Sequence, residues 1–302
     1  MKILLTGGTG FVGSALRREL KAQGHHVRVF VRAQSAGKID AREGLEVLTG
    51  DVLDTHACLR AVDGCDALVH LVGIRREYPH DGITYEALHT EATYAVVDAA
   101  RRAKVDRVIY MSGLGARPDA PSRYHRTKFE AEEIVRKSGM RWTIFRPSII
   151  FGAGDEFHPL IADLVHRPIV PVIDGAKALL QPVSIANVAG PMARAMTMPE
   201  TQGKVFEVGG PERHAFIDIM YKVARHYGVW PNTMSVSSRF AKPMVRFAQR
   251  FRSFPLTSDE LVMLLEDNSC ETEHFTTTFG VTLDPYESQI ASLCPQMQEQ
   301  AA

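Results

Sequence analysis

An excess of charge of one sign, paired cysteines and long apolar runs are all missing from this sequence. Its 35 Lys and Arg are balanced by 35 Asp and Glu over 302 residues. Without a basic surplus the chain lacks the electrostatic footprint of a protein whose main partner is nucleic acid. Four cysteines occur, Cys58, Cys65, Cys270 and Cys294, at spacings that suit neither a metal site nor a redox pair, so reduced thiols in a cytoplasmic protein are expected. The 12 histidines form no metal-binding pattern, and no metal is expected. No apolar run approaches the ~20 residues of a membrane span. Met1 stands almost inside the first predicted strand, so no secretory leader is expected and any membrane association would be peripheral. What remains is an ordinary globular composition, 45% hydrophobic and 23% charged, long enough for one large domain or two smaller ones.

Against that background the first 13 residues stand out. An apolar run, Ile3–Thr6, leads into glycines spaced three apart, Gly7, Gly10 and Gly13, within Thr6-Gly7-Gly8-Thr9-Gly10-Phe11-Val12-Gly13. A helical pattern follows at once, with Val12, Ala15, Leu16 and Leu20 on one face and Gly24 as its stop. A strand, a glycine turn and a helix N-terminus together make an anion site, because free N–H groups and the positive end of the helix dipole point at one spot. Gly7 permits the tight turn, Gly10 lets a pyrophosphate approach the backbone, and Gly13 lets the helix pack close to the strand. Chance alone would place this glycine pattern in the chain about 0.13 times, so its position at the first strand-to-helix junction carries the weight. A dinucleotide is the expected ligand.

The first half continues to alternate strand and helix. Strands are predicted at Ile3–Thr6, Val27–Arg32, Leu45–Leu48, Ala67–Val72, Arg107–Ser112 and Trp142–Pro147, with helices such as Thr84–Lys104 and Tyr124–Ser138 between them. Short, apolar, unalternated strands are buried on both faces, and repeated βαβ units imply a Rossmann-type, doubly wound, mostly parallel sheet. After about residue 150 proline becomes more frequent and strands fewer: Ile169–Ile173, Lys204–Val208 and Met234–Ser237. The expected division is a dinucleotide-binding domain over 1–150 and a smaller mixed α/β lobe over 151–302. The strand-like Gln181–Ile185 suggests that the two interleave, and the Gln-rich tail Gln296–Ala302 is expected to be disordered.

Three further groups bear on chemistry. The second strand ends without the acid that usually grips an adenosine ribose; Arg32 stands there instead, with Lys38 in the next loop. A guanidinium at that point can fork onto a 2′-phosphate, which favours NADP(H) over NAD(H), although a solvated strand-end arginine is the plain alternative. Asp51 can accept from an adenine amino group while Val52 covers the ring, or it can serve the start of the next helix. Tyr124 and Lys128 lie at i and i+4 on one helical face. An ammonium nearby favours the phenolate, so Tyr124 is expected to act as acid or base near neutral pH, with Lys128 also holding the nicotinamide ribose. Ser112, at the end of the fifth strand, could orient a substrate oxygen, with Ser122 as its rival.

Taken together these residues resemble the short-chain dehydrogenase/reductase superfamily in its atypical and extended branches, over nearly the whole chain. The likeness is greatest to the group around the NADPH-binding accessory subunit of respiratory complex I. It is carried by the glycine motif, Gly50-Asp51-Val52, Ser112-Gly113-Leu114-Gly115-Ala116, Tyr124 and Lys128 with Glu130 and Glu132 behind them, Arg146-Pro147-Ser148-Ile149-Ile150-Phe151-Gly152 and Gln181-Pro182-Val183. Pro255-Leu256-Thr257 with Leu261, and Leu264-Leu265 with Asp267-Asn268, are its most group-specific pieces. The resemblance implies a seven-stranded sheet. It implies a dinucleotide site that takes in Thr9, Phe11 and Val12, Leu71, Val72 and Gly73 beside the ribose, and Pro147, Ile149 and Ile150 against the carboxamide. It implies an oxidoreductase moving hydride to or from a carbonyl or alcohol carbon. Other members of the group hold NADPH without obvious turnover, as assembly or redox-sensing modules, and others are sugar-nucleotide epimerases or dehydratases with a bulkier C-terminal lobe.

One stretch stands apart from this chemistry. Ser238–Phe254 holds five basic residues, Arg239, Lys242, Arg246, Arg250 and Arg252, and no acid, while Phe240, Met244, Phe247 and Phe251 recur at helical spacing. Thr257 and Glu260 then form a capping box for another helix. A basic face beside an aromatic one can rest on an anionic membrane or dock a protein partner. Burial against the chain's own core is the usual fate of such a stripe, and it is the expectation here.

Overall fold

The computed structural model describes residues 1–251, 254 and 256–293; the Gln296–Ala302 expectation falls outside them. Seven strands form one sheet: β1 (Lys2–Thr6), β2 (His26–Val31), β3 (Glu46–Thr49), β4 (Ala67–His70), β5 (Arg107–Met111), β6 (Arg141–Pro147) and β7 (Lys204–Val208). Every pairing is parallel, in the order β7-β6-β5-β4-β1-β2-β3. The order reverses between β1 and β4, the place where ligands bind in such sheets. The last strand comes from beyond residue 150, so the second half of the chain completes the sheet.

The apolar pattern explains the layering. Ile3 and Leu5 face one side with Val12, Leu16 and Leu20 of α1 (Phe11–Ala22), and Leu4 faces the other. That other side is covered by α2 (Thr55–Val62), α3 (Ala92–Arg102) and α4 (Arg123–Arg136), through small residues such as Ala57, Ala61, Ala99 and Ala131. The first side is completed by Val188 and Met192 of α6 (Ile185–Arg194) and by Phe275 and Phe279 of α10 (Glu273–Phe279). Around α5 (Phe157–Val165), α7 (Phe216–His226) and α11 (Tyr286–Leu293) a separate core forms from Phe151, Ile161, Ile219 and Tyr286.

Two elements depart from the sequence expectation. The long helix expected over Thr84–Lys104 opens with a π turn, Glu86–Glu91, before α3. That turn swings the buried His89 ring onto the loop after β4, where its Nε2 lies 3.1 Å from both Ile74 N and Ile74 O. Of the strand expected over Gln181–Ile185 only Val183–Ser184 forms. Pro182 has no N–H to give a ladder, and the Gln181 backbone turns elsewhere, its N–H donating to Asn268 O (3.1 Å) and its O accepting from Gly210 N (3.2 Å).

Helix α4 is fixed to β6 by a buried carboxylate. Both oxygens of the fully buried Glu132 accept from Arg146, at 2.7 Å each, and Oε2 also accepts from Arg136 at 2.6 Å. Glu132→Ala would leave Arg146 without its main partner and should cost about 3–5 kcal/mol, read as a fall in urea midpoint at unchanged slope. A loss below about 1 kcal/mol, the range of a surface pair, would contradict this role.

Candidate functional site

The glycine turn is constrained by packing at three positions and open at a fourth. Gly7 has φ +75°, and a Cβ there would sit 2.9 Å from the Leu71 carbonyl carbon. A Cβ at Gly13 would lie 2.3 Å from Gly7 O, and one at Gly8 would lie 2.4 Å from Val29 Cγ1. Gly10 is different. Its backbone is extended (φ −78°, ψ 175°), and a Cβ there would have Gly7 O, at 3.5 Å, as its nearest neighbour. The fold does not require glycine at position 10, and the space beside it is open to a close approach from outside the chain. Helix α1 begins there with no side-chain cap and no acid in its first turn, so its first N–H groups keep their capacity for an anion. These features fit the diphosphate bridge of a dinucleotide.

The remaining site residues follow the carboxyl ends of neighbouring strands. Arg32 follows β2, Gly50-Asp51 follows β3, Leu71–Gly73 follows β4, Ser112-Gly113 follows β5, and Pro147–Ile150 closes β6. Arg32 is exposed and precedes a short 3-10 turn, Ala33–Lys38. Asp51 accepts from Leu53 N at 2.9 Å within a turn, while Asp54 caps α2 through His56 N and Ala57 N. Gly152 brings the β6 end back to the cradle, because a Cβ there would lie 2.4 Å from Ile185 and 3.3 Å from the Phe11 ring.

Tyr124 and Lys128 project from the first turns of α4 toward the ends of β4 and β5. Lys128 is buried and donates from Nζ to Met111 O (2.7 Å), 4.6 Å from the Tyr110 ring centre. A Cβ on Gly73 would stand 3.6 Å from that Nζ, and a Cβ on Gly113 would stand 3.2 Å from the Tyr124 hydroxyl. Only Gly113 is tight, and the absence of a side chain there leaves room for the phenol; the 3.6 Å at Gly73 is ordinary contact. Ser112 Oγ is buried with no protein partner, an orphaned polar atom beside Gly113 that a substrate or cofactor oxygen would satisfy. Ser122, its rival, is committed elsewhere: its hydroxyl accepts from His125 N (3.2 Å) and lies 2.8 Å from His125 Nδ1, capping α4.

The electrostatics of the pair differ from the simple expectation. Burial pushes the Tyr124 phenol up to about 12, and burial pulls Lys128 down to about 7. Desolvation dominates for both groups, and the cation that acts to lower Tyr124 is Arg75, in the loop after β4, rather than Lys128. In this state Tyr124 is a proton donor throughout the neutral range.

Several residues that complete the site carry no local signal in the sequence. The Tyr124 ring is boxed by Tyr85, His89 and His125, each edge-on with ring centres 5.2–5.8 Å away. Asp259, at the start of α9 (Ser258–Leu264), accepts from Arg123 N (2.7 Å) and Tyr124 N (2.9 Å), holding the helix end that carries the phenol. His70, between Thr6 Oγ1 (2.6 Å) and Thr93 Oγ1 (3.1 Å), underlies the ends of β1 and β4. Burial, with Lys128 nearby, lowers His70 to about 3 and His89 to about 2 from an ordinary 6.5. Both rings stay neutral in the fold, while unfolded rings take a proton below 6.5. Their contribution to stability is therefore fully present above pH 6.5 and drains as the pH falls from there toward 3. Denaturation midpoints measured against pH should fall along that limb, and His70→Gln should flatten it. A limb unchanged in that variant would contradict the assignment for His70.

Comparison with known proteins decides the family. Residues 7–156 match the NAD(P)H-binding domain family. The mitochondrial NADH dehydrogenase (ubiquinone) 1 alpha subcomplex subunit 9 of Arabidopsis thaliana is 29% identical over 285 residues, covering 88% of this chain and 69% of that one. The chain belongs to the NAD(P)H-binding domain family over residues 7–156. The 3 beta-hydroxysteroid dehydrogenase/Delta 5-->4-isomerase of Mycobacterium tuberculosis is 34% identical over 181 residues, 51% of this chain and 48% of that one. The NADPH-dependent quinone oxidoreductase QOR2 of Escherichia coli, solved with NADPH, shares the fold of this chain at a TM-score of 0.76 and 18% identity, over 96% of this chain and 99% of that one. Among the described residues no His, Cys, Asp and Glu cluster could hold a metal, and no helix is long and apolar enough to cross a membrane.

Proposed function

We propose that this chain is an NADP(H)-dependent oxidoreductase acting on a carbonyl or alcohol carbon. The observations that support this reading are a protonated phenol, Tyr124, whose hydroxyl would lie 3.2 Å from a Cβ on Gly113, and the buried, unpartnered hydroxyl of Ser112, the residue before that glycine. The cofactor, when bound, supplies or accepts the hydride. In the reducing direction Ser112 donates a hydrogen bond to the substrate oxygen and holds it, and Tyr124 Oη passes its proton to that oxygen as the alcohol forms. Lys128, with hydrogen-bonding capacity left at Nζ after its bond to Met111 O, holds the ribose hydroxyls and fixes the carrier. Leu71, Val72, Gly73, Pro147, Ile149 and Ile150 form the walls. The hydroxysteroid and the quinone in the names of two of the proteins compared above support an alcohol or carbonyl substrate.

The test is NADPH oxidation against a panel of ketones, aldehydes and quinones, with the Tyr124→Phe variant beside the wild type. Turnover that survives the substitution would overturn the assigned roles. The likeness to a subunit of a larger assembly, the mitochondrial NADH dehydrogenase, supports a second reading: this chain serves as a module in an assembly and holds NADPH without turnover. In that case NADPH binds and no carbonyl in the panel is reduced.

Selection of NADP(H) rests on Arg32, whose exposed guanidinium stands where a ribose-binding acid is usual. Arg32→Glu should weaken NADPH by about tenfold or more, the worth of one charge-assisted fork, and leave NADH unaffected or improved. Equal affinity for NADPH in wild type and variant would remove Arg32 from the site.

A further inference from the structure

The stripe expected to be buried is exposed instead. In α8 (Ser238–Ala248) the side turned inward is narrow: Ala241 and Val245 pack on Leu261 of α9. Phe240, Met244 and Phe247, at i, i+4 and i+7, turn outward and are 76%, 56% and 62% exposed. Phe251, just past the helix end, is 60% exposed with its ring edge-on to Phe247 at 6.2 Å. Arg239, Lys242 and Arg246, at i, i+3 and i+7, are exposed along the adjoining stripe, and the Arg250 guanidinium lies 5.7 Å from the Phe247 ring centre. The sequence from 238 to 254 holds no acid. One carboxylate from elsewhere, Asp174, meets this segment at its start, where it accepts from Ser238 N and lies near Lys242.

We infer that α8 and the turn after it form a docking face for an anionic lipid surface, with the aromatic stripe entering the headgroup region and the cations lying against lipid phosphates. Charge selects this occupant. A second copy seated on the same face about a two-fold axis would set basic stripes against each other, which argues against self-association. An anionic bilayer satisfies both stripes at once, because an interfacial helix gains from buried apolar area and from attraction of its cations. The face is rigidly tied to the candidate site: Arg76, in the loop after β4, donates to Phe254 O at 2.6 Å, and Asp259 holds Tyr124 N at 2.9 Å. The lipid contact does not depend on turnover or on the oxidoreductase reading above.

Flotation of the full chain with phosphatidylglycerol–phosphatidylcholine vesicles at low salt tests the inference, with phosphatidylcholine vesicles alone as the comparison. Binding should be at least about tenfold stronger to the anionic vesicles and should be lost at roughly 0.5 M salt, where charges are screened within a few ångströms. The surface variants Phe247→Ser/Phe251→Ser and Arg246→Gln/Arg250→Gln should each lose at least about tenfold in binding while keeping the wild-type Tm and NADPH affinity. Absence of flotation, equal binding to neutral vesicles, or binding unchanged in both variants would overturn it. So would a dimer in light scattering that Phe247→Ser dissolves, since that assigns the face to a second copy.

Discussion

Gly10→Val is expected to abolish dinucleotide binding while leaving the fold standing. The backbone at Gly10 is extended and open to any residue, and the nearest protein atom to a new Cβ is 3.5 Å away. The cost to the fold is that of a poorer helix N-cap, about 1 kcal/mol or less, a change of a few degrees in Tm. The isopropyl group would occupy the space where a diphosphate must meet the first amides of α1, so NADPH affinity should fall by about 100-fold or more. Gly13→Val is the contrasting variant. Its Cβ would lie 2.3 Å from Gly7 O and 2.6 Å from Gly8 Cα, backbone atoms that cannot move aside, so it should lose fold and binding together. NADPH affinity within twofold of wild type in Gly10→Val would mean that the turn does not hold phosphate.

The second large effect belongs to Tyr124→Phe. The phenol oxygen donates to no protein group among the described residues, and the ring keeps its three aromatic neighbours without it. Stability and NADPH affinity should change little. Carbonyl reduction should fall by about 10²–10⁴-fold, the contribution of a positioned general acid. Because burial holds the phenol up at about 12, it stays protonated as the pH rises through neutrality, and its loss of the proton should not limit reduction until the strongly alkaline limb. A wild-type reduction rate that collapses between pH 7 and 9 with Lys128→Met showing the same profile would point to another acid.

How much of this the sequence carried depended on the range of the interaction. The cradle was legible because strand, turn and helix are consecutive, and the sheet because Ile3, Leu4 and Leu5 must be buried on two faces at once. The Tyr124–Lys128 spacing placed both groups on one side of α4 but carried no measure of their burial, and burial sets their proton affinities. Asp259 and Arg75 lay beyond reach, since nothing near them in the chain marks a carboxylate that meets Tyr124 N 135 positions away, or a loop cation facing the phenol. Helix α8 shows a third kind of limit. Periodicity reveals that a helix has two faces, but which face is covered depends on what packs there, and Leu261 takes the small side of Ala241 and Val245.

The most direct test of the account is isothermal calorimetry of the pure chain with NADPH and with NADH, with Gly10→Val run in parallel. The account predicts one molecule of NADPH bound per chain, tighter than NADH, and no heat from the variant. No heat from either nucleotide with the wild-type protein, or equal heats from wild type and Gly10→Val, would contradict it.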